Sequence, residues 1–131
     1  MPEQLTQRNL PRAVNSRTKG QEGEDRAAAY LAAQGYEIIA RNFRSIFGEV
    51  DIIAREKDRL VFIEVKAWSC FGFENLEYAL NLQKQQRIIK TAKFFIATHR
   101  EYNSIGLRFD VIFIGSQGIH HLASAFMERV L

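Results

Sequence analysis

Apolar positions along this chain change their period several times, and each change marks an element. Between residues 19 and 34 a run rich in Ala27, Ala28, Ala29, Ala32 and Ala33 suits a helix, and Gly35 is its natural stop. Thr18 and Gln21 have capping-box spacing just before it. The pattern then turns to short β-rich runs at 36–43, 50–55 and 60–66, with Glu56-Lys57-Asp58-Arg59 as the turn between the last two. A glycine-containing loop, Phe71-Gly72-Phe73, leads to a helical turn at 75–80. Asn81 is placed to cap a longer helix over 82–98. Strands are expected at 108–114 and 119–123, and a terminal helical turn at 124–131. Helix, strands, helix, strand, strand is an α/β order, and a mixed β-sheet flanked by helices is expected.

The 82–98 segment is amphipathic. Ile88, Ile89, Ala92, Phe95 and Ile96 share one arc, while Lys84, Arg87, Lys90 and Lys93 spread over the other side. Those four bases read either as a solvated face or as a surface that tracks phosphates. Gln85 falls inside the apolar arc, where its amide needs a partner.

Length and composition narrow the class. The chain has 131 residues, 47% of them hydrophobic and only two prolines, which suits one folded domain over 18–131. No apolar run reaches the roughly 18 residues that span a bilayer, so no membrane partner is expected. A single cysteine, Cys70, leaves no internal disulfide and suits a reducing cytoplasmic setting. The formal net charge of +3 comes from the start of the chain. Arg8, Arg12, Arg17 and Lys19 there face only Glu3, and the remainder carries equal numbers of basic and acidic side chains. Residues 1–17 therefore read as a mobile basic arm, either a frayed terminus or a strand-tracking tail.

The hairpin holds the chemistry. Centring it on Lys57-Asp58 sets Arg55 opposite Leu60, Ile53 opposite Phe62, Asp51 opposite Glu64, and Glu49 opposite Lys66. Directly opposed residues share a face with Cβ atoms about 4.5–5.5 Å apart. The other face, Val50, Ile52, Ala54, Val61, Ile63 and Val65, is wholly apolar. Strands apolar on both sides are covered on both sides. Asp51 and Glu64 thus face each other in a shielded place, and repulsion must be offset. A retained proton, Lys66 between the two, or a hard divalent cation would each do so. Glu24 adds a third acid: one turn before Ala28 and two before Leu31, it points toward the core side of its helix.

The order of these residues is recognisable. Gly20-x-x-Gly23-Glu24 opens a helix; Gly48-Glu49-Val50-Asp51-Ile52-Ile53 and Phe62-Ile63-Glu64-Val65-Lys66 follow; then come Lys84-Gln85-Gln86-Arg87-Ile88 and Arg108-Phe109-Asp110-Val111-Ile112. Over residues 17–125 the chain resembles the bacterial YraN family, which is placed in the restriction-endonuclease-like, PD-(D/E)xK superfamily. It is also similar to archaeal Holliday-junction resolvases, in which a helix-1 glutamate completes the site. The resemblance implies a restriction-endonuclease-like core and a Mg²⁺- or Mn²⁺-dependent endonuclease acting on DNA, including branched or otherwise structured DNA. It implies Asp51, Glu64 and the backbone carbonyl of Val65 as metal ligands, with Glu24 binding or tuning the metal. Lys66 would orient or activate water, and Gln85 matches a helical glutamine of some superfamily nucleases. Two departures stand out. The proline before the aspartate is Val50, and the small residue and arginine after the lysine are Ala67-Trp68. Trp68 would then either stack on a base in place of the arginine's phosphate contact or anchor its loop as a partly buried ring. Symmetric cutting of both strands would need two active sites, hence a homodimer.

Two other classes remain open: a non-catalytic nucleic-acid-binding module on the same fold, and a protein-interaction adaptor. His120 and His121 are adjacent on a strand and point to opposite faces, so they cannot chelate one ion together. His99 follows a helix end, and Asp110 lies beside Arg108 on one face, either as a structural ion pair or approaching the site from a neighbouring strand.

Overall fold

The structure is a computed structural model that describes residues 12–67 and 80–128, with the side chains of 12–19 left aside. Helix α1 (Arg12–Ala33) is followed by strands β1 (Glu37–Ser45), β2 (Gly48–Glu56) and β3 (Arg59–Ala67). Helix α2 (Leu82–Thr98), a 3-10 turn (Arg100–Tyr102), β4 (Gly106–Gly115) and β5 (Gly118–Phe126) complete the order. The five strands form one sheet in chain order. β3 and β4 pair in parallel, joined by the α2 crossover, and every other neighbouring pair is antiparallel. This is the mixed sheet flanked by helices that a restriction-endonuclease-like core requires.

Each helix covers one face. Ala27 and Leu31 of α1 pack with Ile52, Ala54, Val61, Ile63 and Ile112. On the opposite face Ile88, Ile89, Ala92 and Phe95 of α2 pack with Ile53, Leu60, Phe62 and Val111. The β2–β3 register carries Ile53 opposite Phe62 and Arg55 opposite Leu60, as the Lys57-Asp58 centre demands. Lys57 takes the left-handed conformation that closes so short a turn (φ 56°). Helix α1 ends as expected at Gly35 (φ 96°). Tyr36 N–H donates to Leu31 O and Gly35 N–H to Ala32 O, the Schellman pair. Asn81 caps α2 by accepting from Lys84 N–H at 2.9 Å.

Three expectations are corrected. Helix α1 starts at Arg12, not near Lys19, and so takes up the last residues of the expected arm. Pro11 precedes it in sequence and no Gly or Pro interrupts 12–19, so nothing local stops the helix earlier. Residues 124–131 do not make a helical turn as far as Phe126, because β5 runs on and pairs Phe126 with Phe109. A register shift absorbs the extra length, with Ser124 at φ 53°. Val50 packs with the α2-side cluster while Ile52 packs with the α1 side, so strict alternation breaks across Asp51. Lys84, Arg87, Lys90 and Lys93 are all exposed. Lys84 and Arg87 line a cavity with Asp51 and Glu64. Lys90 and Lys93 line another with Leu82, Gln86 and Met127. Residues 1–11, the 71–73 loop, most of the 75–80 turn, and residues 129–131 lie outside the described residues, as do Trp68 and Cys70.

Candidate active site

The break across Asp51 is where the site opens. The β2–β3 ladder runs only from Glu56↔Arg59 to Ile52↔Ile63. One residue further the ladder stops, and Asp51 lies near enough to Glu64 to feel its charge. There the Val65 N–H donates to Asp51 Oδ2 at 2.8 Å. A side-chain oxygen thus takes the place of a strand partner, and the two strands part around the acids. A cavity of about 380 Å³ lies on the α1 side of this opening, lined by Glu24, Asp51, Glu64, Val65, Lys66 and the glycines of the first helix among others. A second cavity, about 280 Å³, lies on the α2 side, with Glu49, Asp51, Glu64, Lys84 and Arg87 in its wall. The carboxylate pair is common to both.

The electrostatics agree with the geometry. Burial pushes the Asp51 carboxyl up, and the nearby charge of Glu64 pushes it further, to about 7 against an ordinary 3.8, despite the Val65 hydrogen bond. Glu24 and Glu49 add smaller contributions in the same direction. Glu64, with its side chain 9% exposed, pairs with Lys84 Nζ at 3.2 Å. Glu24 lies 3.5 Å from Arg41 Nη2, which also binds Asp25 at 2.7 Å.

Four of the residues expected from the sequence, Glu24, Asp51, Glu64 and Lys66, therefore line one cavity, with Val65 beside them. Gln85 is not brought there. Its Nε2 donates to Leu80 O at 2.9 Å and it lines the cavity with Leu82 and Met127. The buried amide finds its partner within its own segment. Lys84 is the residue whose place sequence reasoning missed. A signal existed: as the third residue of α2 it puts a cation in a first turn, where the helix dipole disfavours one unless an anion is near.

A divalent cation was tested against these groups. Among the described residues no three His, Cys, Asp or Glu side chains converge as a metal cage. What the opening offers is two carboxylates and a neighbouring carbonyl. That matches the sparse protein ligation Mg²⁺ accepts, with its remaining positions left to water and phosphate. A buried Asp51 held near its protonation midpoint by Glu64 is also the charge state a cation would relieve.

At the far end of the sheet lies a second acid cluster. Asp110, fully buried, accepts from Arg108 Nε at 2.9 Å and Nη2 at 2.8 Å, and from the Ser124 N–H at 3.0 Å. His121 Nε2 lies 2.6 Å from it, and Tyr30 Oη lies 3.0 Å from His121 Nδ1. Arg108 also reaches Glu56 and Tyr36. Burial raises the Asp110 carboxyl, but the hydrogen bonds from His121, Arg108 and Ser124 outweigh it and leave the group lowered. The ion pair expected for Asp110 is present, and the two histidines diverge as expected. His120 packs near Phe113 while His121 faces Tyr30 and Tyr36.

Comparison with known proteins gives a consistent family. A family model described as "Uncharacterised protein family UPF0102" matches residues 23–114. A "UPF0102 protein" of Treponema pallidum is 45% identical over 115 residues, covering 82% of this chain and 91% of its own length. One from Persephonella marina is 43% identical over 108 residues, with 82% and 92% covered. One from Rhodopseudomonas palustris is 40% identical over 117 residues, with 88% of each covered. No helix among the described residues is long and apolar enough to cross a membrane.

Proposed function

The chain belongs to the UPF0102 family, and we propose that it is a Mg²⁺- or Mn²⁺-dependent nuclease that hydrolyses phosphodiester bonds in DNA. The observation that carries the reading is one cavity lined by Glu24, Asp51, Glu64 and Lys66, at a point where the sheet opens and Asp51 is raised to about 7. Asp51 and Glu64, with the Val65 carbonyl, would hold the cation. Glu24, engaged by Arg41, would act on it from outside the ligand set. The bound cation would supply charge neutralisation at phosphorus and a more acidic water.

The residues of the chain do the rest. The Lys66 ammonium would donate to a water in the cavity and to a non-bridging phosphate oxygen, holding the water opposite the sugar oxygen that leaves. The water oxygen bonds to phosphorus as the phosphorus–sugar oxygen bond breaks. The proton released by the water passes to solvent, and the sugar oxygen takes one up. Lys84 and Arg87, exposed on the α2 side, receive the flanking phosphates. Lys90 and Lys93 line a different cavity and are left out of this path.

The deciding experiment is the melting temperature against Mn²⁺ for the wild type and for Asp51→Asn/Glu64→Gln. Binding to the native state alone stabilises by about 2.7 kcal/mol at a hundredfold excess over Kd. The wild type should rise with Mn²⁺. The double variant should not, and should start higher because two opposed charges are gone. Equal responses in the two proteins, or none in either, would remove the metal site. Metal-dependent cleavage of branched DNA that is lost in Lys66→Ala would then separate the nuclease from the binding module.

A further inference from the structure

One stripe of α2 leads away from the carboxylate pair. Lys84 meets Glu64 at 3.2 Å. Arg87 lies against Gly48, where an added Cβ would come within 3.3 Å of the Arg87 Cβ. Thr91 Oγ1 lies 3.1 Å from Ser45 Oγ. The Phe94 ring stands 6.5 Å from that of Phe47. Positions three and four apart on a helix share a face, and from 84 to 94 that face runs about 15 Å. The β1–β2 hairpin lies along it, and the two residues at its tip, Ile46 and Phe47, are 92% and 39% exposed.

A single exposed apolar residue is ordinary on a protein surface. Three features set this tip apart. It is held: Ser45 Oγ accepts from the Phe47 N–H at 3.0 Å, hydrogen-bonds Thr91, and reaches Gly48 O at 3.4 Å. It is backed by a second half-exposed ring, Phe94 at 39%, so the apolar surface continues onto the helix. It is flanked by the exposed cations Arg87 and Arg44, the latter 3.3 Å from Glu49, and Gly48, next along the chain, lines the cavity that holds Asp51 and Glu64. A braced apolar tip beside guanidinium groups suits a polyanion that also offers flat apolar faces. That description fits nucleic acid.

We propose that the Ile46-Phe47 tip is a wedge that inserts between bases while the phosphates run past Arg87 and Lys84 toward the carboxylate pair. Insertion of an apolar side chain at a base step costs unstacking, and the cost is least where bases are already unpaired or poorly stacked. The tip would therefore give this site a preference for bulged, mismatched or branched duplex over fully paired duplex. The inference rests on the nuclease reading only in placing nucleic acid at the same cavity.

The test is the affinity of the full chain, without divalent cation, for a duplex carrying a two-nucleotide bulge and for its fully paired counterpart. A 2-aminopurine beside the bulge reports unstacking. The wild type should bind the bulged duplex about tenfold more tightly and raise the 2-aminopurine emission. Ile46→Ser and Ile46→Ser/Phe47→Ser should bring the preference within twofold and suppress the emission, with affinity for the paired duplex and its salt dependence unchanged. The single variant alters only an exposed side chain, so it keeps the test valid if the double variant folds poorly. A preference that survives both variants, or is missing from the wild type, overturns the wedge. So does a wild type that sediments as a dimer and becomes a monomer in Ile46→Ser, because the tip would then join two copies. If the tip variants lose the bulge preference that the wild type shows while Mn²⁺ leaves the wild-type melting temperature unchanged, the nuclease reading fails and the wedge stands. If Mn²⁺ stabilises the wild type but the tip variants bind as it does, the wedge alone fails.

Discussion

Asp110 on β4 accepts two hydrogen bonds from Arg108 and one from the Ser124 N–H, and also pairs with His121. Asp51 on β2, separated from β4 only by β3, accepts from the Val65 N–H and faces another acid, Glu64. Both carboxyls pay the desolvation that burial exacts. Protein partners outweigh it at Asp110, whose carboxyl ends up lowered, whereas at Asp51 burial and Glu64 act together and the carboxyl rises to about 7. The contrast separates a cluster that is complete within the chain from one that needs something added. Arg108 ties β4 to Glu56 at the end of β2 and to Tyr36 just ahead of β1, so the complete cluster also pins the sheet together. The incomplete cluster lies where the β2–β3 ladder ends, and the chain leaves it open on two sides.

The comparison is broken most severely at its complete end. Arg108→Met removes the cation shared by Asp110 and Glu56, leaving a buried carboxylate without its main partner. A loss of about 3–5 kcal/mol is expected in urea unfolding at neutral pH. A loss under about 1 kcal/mol would show that Asp110 does not depend on it.

The opposite sign is expected at the open end. Asp51 holds its proton to about 7 when folded and to 3.8 otherwise, so the folded state binds more protons between those values. Its contribution to stability is therefore present below pH 3.8 and is lost as pH rises to about 7. Asp51→Asn escapes that loss. It should be more stable than wild type by on the order of 2 kcal/mol at pH 8, with the gain shrinking toward pH 4. Thermal melts of both proteins across that range measure the difference, and a gain independent of pH would detach it from ionisation.

The smallest effect sharpens the contrast. Lys84 is the cation that meets Glu64, but its own side chain is 45% exposed. Lys84→Met should cost about 0.5–1 kcal/mol, and the cost should fade in 1 M NaCl. Paired melts at low and high salt would show this. A cost that resists salt would make Lys84 a built-in counter-ion comparable with Arg108.

Much of this was legible in the chain. The pairing of Arg55 with Leu60 and of Ile53 with Phe62 follows from a two-residue turn and a period of two, and the structure carries that register from Glu56↔Arg59 to Ile52↔Ile63, one residue short of Asp51 and Glu64. Asn81, Gly35 and the apolar arc of α2 are local features with local consequences, and they behave as expected. The end of β5 was not legible. Ser124 and Phe126 extend the strand because Asp110 takes the Ser124 N–H and Phe109 offers Phe126 a partner across the sheet. Both partners lie more than ten residues away, beyond the reach of any local pattern.

The same division runs through the site. The sequence by itself determined that Asp51 and Glu64 would come near each other across one hairpin, that Glu24 would face inward, and that Gln85 would need a partner. Backbone geometry within one element or one hairpin is enough for each. Only the tertiary structure decided that Lys84 answers Glu64, that Arg41 engages Glu24, and that Gln85 spends its amide on Leu80 rather than at the acids. It also decided that the β1–β2 tip stands along the same helix face as the acid cavity. These contacts depend on how α2 crosses the sheet and how the first helix lies over its other face. Period and spacing describe directions along one element, whereas distances between elements are set by packing the whole core.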